Sequence, residues 1–202
     1  MELVVATKNL KKLEEIRQIW KGCGLTITSL ADYASTPRII ENKKTFRENA
    51  IKKAITIARF TRKLTLGEDS GLCVDALGGK PGVYSSRFSG KNKSDAQNNA
   101  KLLKMLQGVA MQKRKAYYAC AVALADEYGL VGVVEGRCYG RIALELKGSA
   151  GFGYDPLFLI PRYHKTFGQL GDRIKHTMSH RCLALRKAKV ILEKYIERKK
   201  RS

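Results

Sequence analysis

Apolar residues recur along this chain with two different periods, and the switches between them divide it into elements. The run Leu3-Val4-Val5-Ala6 precedes Leu13, Ile16, Ile19 and Trp20 at helical spacing, and Gly22-Cys23-Gly24 closes the stretch. That pattern predicts a strand, a turn at Thr7-Lys8-Asn9 and a helix. Thr45-Phe46-Arg47-Glu48 matches a capping box ahead of Ala50, Ile51, Ala54, Ile55 and Ala58, so a second helix is expected from Thr45. A strand over 64–67 then delivers Glu68-Asp69-Ser70 at its end. Residues 94–107 read as a helix that buries Leu102, Leu103 and Leu106. Segments 117–125 and 130–144 are rich in β-branched and aromatic residues, broken by Gly129, Gly136 and Gly140, and predict consecutive strands. A last helix over 179–198 buries Ala184, Ala188, Ile191, Leu192 and Tyr195.

Alternating elements at the two ends and consecutive strands in the middle predict one α/β domain over 1–202. Its architecture would be a mixed, bent sheet flanked by helices, in two lobes with a cleft between them where ligands bind. A chain of 202 residues with 44% hydrophobic content can bury one substantial core. No repeat, low-complexity tract or Pro-rich linker interrupts it.

Charge narrows the partners. Lys and Arg number 39 against 18 Asp and Glu, a formal charge of +21, which favours polyanions. Nucleotides and nucleic acid fit equally. From Arg186 on, eight basic residues face two acidic ones and the chain ends in Arg198-Lys199-Lys200-Arg201-Ser202, and a solvated basic tail over 197–202 is preferred to a nucleic-acid site. Five scattered cysteines without a Cys-x-x-Cys pair argue against disulfide frameworks and zinc knuckles and suit a reducing cytosol. No basic-apolar leader or membrane-length run is present, so a soluble, cytoplasmic protein without membrane association is expected. His176 and His180 would lie one turn apart on a continuous helix and could offer two metal ligands there, but lack a third nearby.

Four segments carry candidate chemistry. Ala6-Thr7-Lys8-Asn9-Leu10-Lys11-Lys12 places a hydroxyl, an amide and three ammonium groups where a strand feeds a helix, whose free N–H groups attract phosphate. Alone, it is an Asn-capped basic helix. Glu68-Asp69-Ser70-Gly71 sets two acids side by side, and adjacent carboxylates among apolar neighbours call for a cation, Mg²⁺ being the natural one. Gly151-Phe152-Gly153-Tyr154-Asp155 offers rings that can stack on a base and a carboxylate that can read its N–H. Without the others it is a tight turn covering a core. Lys175 followed by Ser179-His180-Arg181 gathers hydrogen-bond donors near a helix start.

In this order and spacing the chain resembles the inosine triphosphate pyrophosphatase family, the non-standard purine nucleoside-triphosphate pyrophosphatases. The resemblance runs from Ala6-Thr7-x-Asn9-x-x-Lys12 through Glu41 and Thr45-Phe46-x-Glu48-Asn49-Ala50-x-x-Lys53-Ala54. It continues over Glu68-Asp69-Ser70-Gly71-Leu72 and Gly79-x-Pro81-Gly82-Val83-Tyr84-Ser85, and closes on Gly151 to Pro156 and Lys175 to Arg181. It implies an elongated α/β homodimer that uses Mg²⁺ to cleave inosine or xanthosine triphosphates to monophosphate and pyrophosphate. It also implies that Thr7, Lys8, Asn9, Leu10, Lys11, Lys12 and Lys53 meet the triphosphate and that Asp69 is the general base. Glu41 and Glu68 would join Asp69 around the metal, and Ser70 would touch substrate. Phe152, Gly153, Tyr154, Asp155, Lys175, His180 and Arg181 would form the base pocket. Glu68 stands where relatives often have Asp, and Gln169 where an acid is usual.

Two other readings compete. A pyrimidine-directed pyrophosphatase would share the phosphate loop and acids but lack the Phe152 to Asp155 and Ser179-His180-Arg181 segments. A basic nucleic-acid-binding protein accounts for the charge and leaves Glu68-Asp69 unexplained.

Overall fold

The computed structural model describes residues 1–90 and 94–201. Its strands are β1 (Glu2–Val5), β2 (Thr26–Ser29), β3 (Thr65–Val74), β4 (Lys115–Asp126), β5 (Gly129–Ile142), β6 (Phe158–Ile160) and β7 (Lys165–Thr166). They form one sheet in the order β2-β1-β3-β4-β5-β6-β7. β1 lies parallel to β2 and β3, with Val5 opposite Leu66, whereas β6 is antiparallel to β5 and β7, so the sheet is mixed. The helices are α1 (Leu10–Ile19), α2 (Phe46–Thr61), α3 (Asp95–Met105), α4 (Phe167–Met178) and α5 (His180–Arg201). The α/β class and the mixed sheet with flanking helices are as the sequence predicts.

The chain divides into two compact units, one formed by Met1–Asp69, Cys120–Gly136 and Arg181–Ser202, the other by Ser70–Ala119 and Arg137–His180. In the first unit, side chains alternate across the strands. One set, Leu3, Val5, Leu66, Val122 and Leu124, packs on Leu13, Ile16 and Trp20 of α1 and on Ala184, Leu185, Ala188 and Leu192 of α5. The other set, Ala121, Ala123 and Ala125, meets Ala50, Ala54 and Ala58 of α2. Small residues on both sides let helix and strands approach closely, and Gly67 takes this furthest. A Cβ there would stand 2.2 Å from the Ala50 carbonyl oxygen and 2.5 Å from the Ala54 nitrogen. The glycine is therefore where the α2 backbone rests on β3.

The second unit has its own core of Leu72, Val74, Leu102, Leu106, Tyr118, Cys138, Ile142, Phe158 and Phe167. Phe158 and Phe167 stack with ring centroids 5.4 Å apart, and Tyr118 stacks on His180 at 4.6 Å. The buried Arg114 satisfies three loop carbonyls, those of Leu106, Val109 and Ala143.

Several expectations change. β3 does not stop at 67: it runs ten residues, so Glu68 and Asp69 sit inside a strand and not at its end. Gly67, the two acids and Gly71 hide the alternation that Leu72 and Val74 resume. α4 was not legible, because Gly168 and Gly171 interrupt its pattern, and Gly171 breaks the helix at φ 72°. Gln169 there completes a capping box: it receives the Thr166 N–H, while the Thr166 hydroxyl accepts its own N–H. His176 and His180 do not share a helix face, since the extended Ser179 (ψ 157°) separates α4 from α5. Residues 197–201 form the exposed last turns of α5 and not a separate tail; residue 202 lies outside the described residues.

Candidate active site

In the first unit the turn after β1 ends on Asn9, the N-cap of α1, whose side-chain oxygen accepts the Lys12 N–H at 3.2 Å. The Thr7 hydroxyl accepts the Asn9 N–H at 3.1 Å. These bonds fix the turn and aim the amino end of α1 outward. Lys8, Leu10 and Lys11 are exposed there. Lys12 turns back toward the sheet, and its ammonium lies 3.3 Å from Glu68 Oε2.

Strand alternation sends the two adjacent acids in opposite directions. Glu68 shares the face of Leu66, toward α1 and α5. Besides Lys12 it receives Arg181 Nη2 on Oε1 at 3.1 Å and the Cys120 thiol on the same oxygen at 3.5 Å. Arg181 also donates through Nη1 to Glu15 Oε2. Burial alone would lower the pKa of this guanidinium, but Glu68 and Glu15 outweigh it and hold the charge more firmly than usual. Glu68, Glu15 and Arg181 are all buried.

Asp69 shares the face of Gly67, toward α2. Asn49 Nδ2 donates to its Oδ2 at 2.9 Å, and the Lys53 ammonium lies 3.6 Å from Oδ1. Lys53 also donates to Glu41 Oε1 at 2.8 Å, so this buried ammonium sits between two carboxylates. Burial pushes the Asp69 pKa above the ordinary carboxylate value. The positive charges of Lys53 and Lys12 and the Asn49 bond only partly oppose that, and Glu41 adds to it. For Lys53 burial pulls the other way, yet Asp69 and Glu41 leave its pKa raised.

Glu41 and Asp69 offer only hard oxygen donors with the Lys53 ammonium between them, so this pair suits a divalent cation such as Mg²⁺, whereas Glu68, expected to join them, points to the other face of β3. The oxygens of the three acids are not all within 4.8 Å of one another, and Lys12 and Lys53 take up their charge.

The second unit holds the remaining predicted residues. The half-buried Ser70 is its first residue on β3. In the 151–155 loop, Asp155 Oδ2 accepts the Phe152 N–H at 2.9 Å and the Lys175 ammonium at 2.8 Å. Both charged side chains are almost completely buried. The ammonium lies 4.5 Å from the centre of the half-buried Phe152 ring. A Cβ on Gly151 would stand 2.1 Å from Asp155 Oδ2, so only glycine, here at φ +78°, leaves that carboxylate its place. Gly153 is held at both ends of its peptide by α3: Asp95 accepts its N–H at 2.7 Å and Asn99 donates to its carbonyl at 2.9 Å. Tyr154 is buried and donates its hydroxyl to the Ser85 carbonyl at 2.8 Å. His180 is buried against Tyr118.

The structure thus groups Lys12, Lys53, Glu41, Glu68 and Asp69 in the first unit and Phe152, Asp155 and Lys175 in the second. Arg181 is bonded to the acids of the first unit. Sequence reasoning assigned no role to Asn49, Glu15 or Cys120. Asn49 stands four residues before Lys53 on α2, and Glu15 three residues after Lys12 on α1, so helical periodicity could have indicated both.

The family model described as the Ham1 family matches residues 3–191. A dITP/XTP pyrophosphatase from Desulforamulus reducens is 47% identical over 194 residues, covering 96% of each chain. One from Shouchella clausii is 46% identical, covering 95% of this chain and 96% of its own. Among solved structures, a HAM1 protein from Coxiella burnetii superposes with a TM-score of 0.87 at 36% identity, covering 96% of this chain and 99% of that one.

Proposed function

From its membership of the Ham1 family, to which this chain belongs, we propose that the protein is a nucleoside-triphosphate pyrophosphatase that clears non-standard purine nucleotides, dITP, ITP and XTP, from the pool. The observation that carries the chemistry is the interleaving of Lys12 and Lys53 with Glu41, Glu68 and Asp69, of which Lys53, Glu68 and Asp69 are buried. A triphosphate of about four negative charges reacts mainly through positioning and charge neutralisation, which such an array supplies.

Lys12, Lys53, Thr7, Asn9 and the free N–H groups opening α1 bind the phosphates, with the exposed Lys8 and Lys11 drawing the anion in. Asp69 accepts a proton from the attacking water. The new oxygen–phosphorus bond forms at the α-phosphorus, the bond to the bridging oxygen breaks, and pyrophosphate leaves. Its raised pKa suits that task, because a stronger base takes the proton further. We assign Mg²⁺ to Glu41 and Asp69, where it would supply positive charge against the phosphate oxygens.

Base recognition falls to Lys175 and its surroundings. Inosine and xanthine present a 6-oxo acceptor, adenine a 6-amino donor. Lys175, held by Asp155, donates to the oxygen and rejects adenine by leaving a buried ammonium facing a donor, a mismatch that discriminates by up to roughly 10⁴–10⁵. Phe152 stacks on the base. Ser70, His180 and Arg181 complete the substrate contacts. The working form is a homodimer in the cytoplasm. The five cysteines, all free thiols, support a reducing compartment, and among the described residues no helix is long and apolar enough to cross a membrane.

The test is to incubate the protein and Mg²⁺ with dITP, XTP, GTP, ATP and dTTP and measure pyrophosphate against orthophosphate. Pyrophosphate from dITP and XTP, with little turnover of ATP or dTTP, is expected. Orthophosphate as the first product would move the attack to the γ-phosphorus and overturn the assignment.

A further inference from the structure

The loop at 40–43 carries Glu41 and is fastened to one stretch of α2 by three side chains. Lys52 Nζ donates to the Ile40 carbonyl at 2.9 Å and to Asn42 Oδ1 at 3.0 Å. Lys53 donates to Glu41. Asn49 accepts the Lys43 N–H on Oδ1 at 3.0 Å. Two of these side chains reach β3 as well: the Lys53 ammonium lies 3.6 Å from Asp69 Oδ1, and the opposite end of Asn49 donates a hydrogen bond to Asp69 Oδ2. One buried carboxamide, 1% exposed, therefore joins the Glu41 loop to the carboxylate on β3.

An amide is the side chain this position requires. It must accept from a backbone N–H on one side and donate to a carboxylate on the other, and Asn does both with one rigid plane. Gly67 brings the α2 backbone onto β3, which lets so short a side chain span the distance. With Oδ2 held by Asn49, the Asp69 carboxylate is fixed about its last torsion, and Oδ1 takes one orientation relative to Lys53.

Resting on the reaction assigned above, we propose that Asn49 is a positioning residue for catalysis: it orients the Asp69 carboxylate for proton transfer and locks it to the Glu41 loop. Residues that orient reacting groups typically contribute about 10–100-fold to activity.

Two substitutions separate this role from simple support of the loop. Asn49→Asp keeps an acceptor for the Lys43 N–H and removes the donor to Asp69; Asn49→Ala removes both. Turnover of dITP is measured at saturating Mg²⁺, together with KM, with dITP binding in metal-free buffer and with melting temperature. Orientation of Asp69 predicts that kcat falls about 10–100-fold in both variants, while KM and metal-free binding stay within about threefold of wild type. If Asn49 only supports the loop, Asn49→Asp retains more than half of wild-type kcat, and the proposal is overturned. Should Asn49→Asp fail to fold, Asn49→Ala decides: a tenfold deficit in kcat at saturating Mg²⁺ with KM and metal-free binding within about threefold of wild type supports the proposal, whereas kcat within twofold of wild type, or a deficit accompanied by a larger change in KM or binding, overturns it. Wild-type protein that releases no pyrophosphate from dITP would sink the functional reading instead, so the two failures are distinguishable.

Discussion

Glu68 and Asp69 are neighbours in the chain and opposites in environment. Glu68 points toward α1 and α5, where Arg181, Lys12 and Cys120 all meet it. Asp69 points toward α2, where Asn49 and Lys53 meet it but burial still raises its pKa. One acid is clamped and the other is poised. The difference shows how a two-residue motif can hold two jobs apart: the strand pleat assigns each carboxylate its own set of partners, and at Asp69 burial outweighs those partners and raises the pKa.

The comparison breaks first at Asp69. Asp69→Asn keeps the volume and can still accept from Asn49, but it cannot take a proton from water. General-base removal typically costs about 10²–10⁴ in rate, so kcat for dITP should fall by about a thousandfold. A variant retaining more than a tenth of wild-type kcat would remove Asp69 from that role.

Glu68→Gln tests the clamped side. Taking one partner from a buried ion pair costs about 3–5 kcal/mol. Arg181 keeps Glu15, so the lower end applies, about 3 kcal/mol, and for a chain of this size that lowers Tm by about 6–12 °C. Asp69→Asn should show no such loss. Equal melting temperatures for the two variants would mean that the environments do not differ as the geometry says.

The titration of Asp69 in metal-free buffer, followed by carboxylate NMR, sharpens the contrast further. Lys53 opposes the rise in the Asp69 pKa and Glu41 adds to it. Lys53→Met should therefore move that titration to higher pH and Glu41→Gln should move it to lower pH. Shifts of the same sign in both variants would show that these two neighbours do not oppose each other at Asp69.

How much of this was legible beforehand depended on whether the signal was local. Asn9, Thr45 and Ser94 each cap the helix that the sequence places after them, because capping is settled within four residues. The phosphate turn, the acid pair and the Gly151 to Asp155 loop could be named for the same reason. The opposed directions of Glu68 and Asp69 could not, because the strand is expected to stop at 67, and Gly67 and Gly71 separate Leu64 and Leu66 from Leu72 and Val74, whose shared alternation carries through both acids. Nor could the pairing of Arg181 with Glu15, which joins residues 166 positions apart. Asn49 reads as an ordinary polar residue on α2 until Gly67 shows how near the helix comes to the strand.

The smallest effect concerns stability against pH. Asp69 binds its proton more tightly in the folded chain than in the unfolded one, so between those two pKa values the folded state carries the extra proton. Stability must then fall as pH rises through that window, from the ordinary carboxylate value up to the raised one, and stay lower above it. Asn at 69 has no proton to lose, so Asp69→Asn should remove this contribution and melt at the same temperature as wild type or higher near neutral pH. Glu68→Gln retains Asp69 and should retain the slope. The measurement is Tm against pH in metal-free buffer, because a cation bound to the carboxylate would favour its ionised form and hide the effect. If Asp69→Asn melted below wild type at pH 7 and matched it at pH 4, the partners of Asp69 would be returning more than its burial costs, and the distinction between a clamped and a poised carboxylate would collapse.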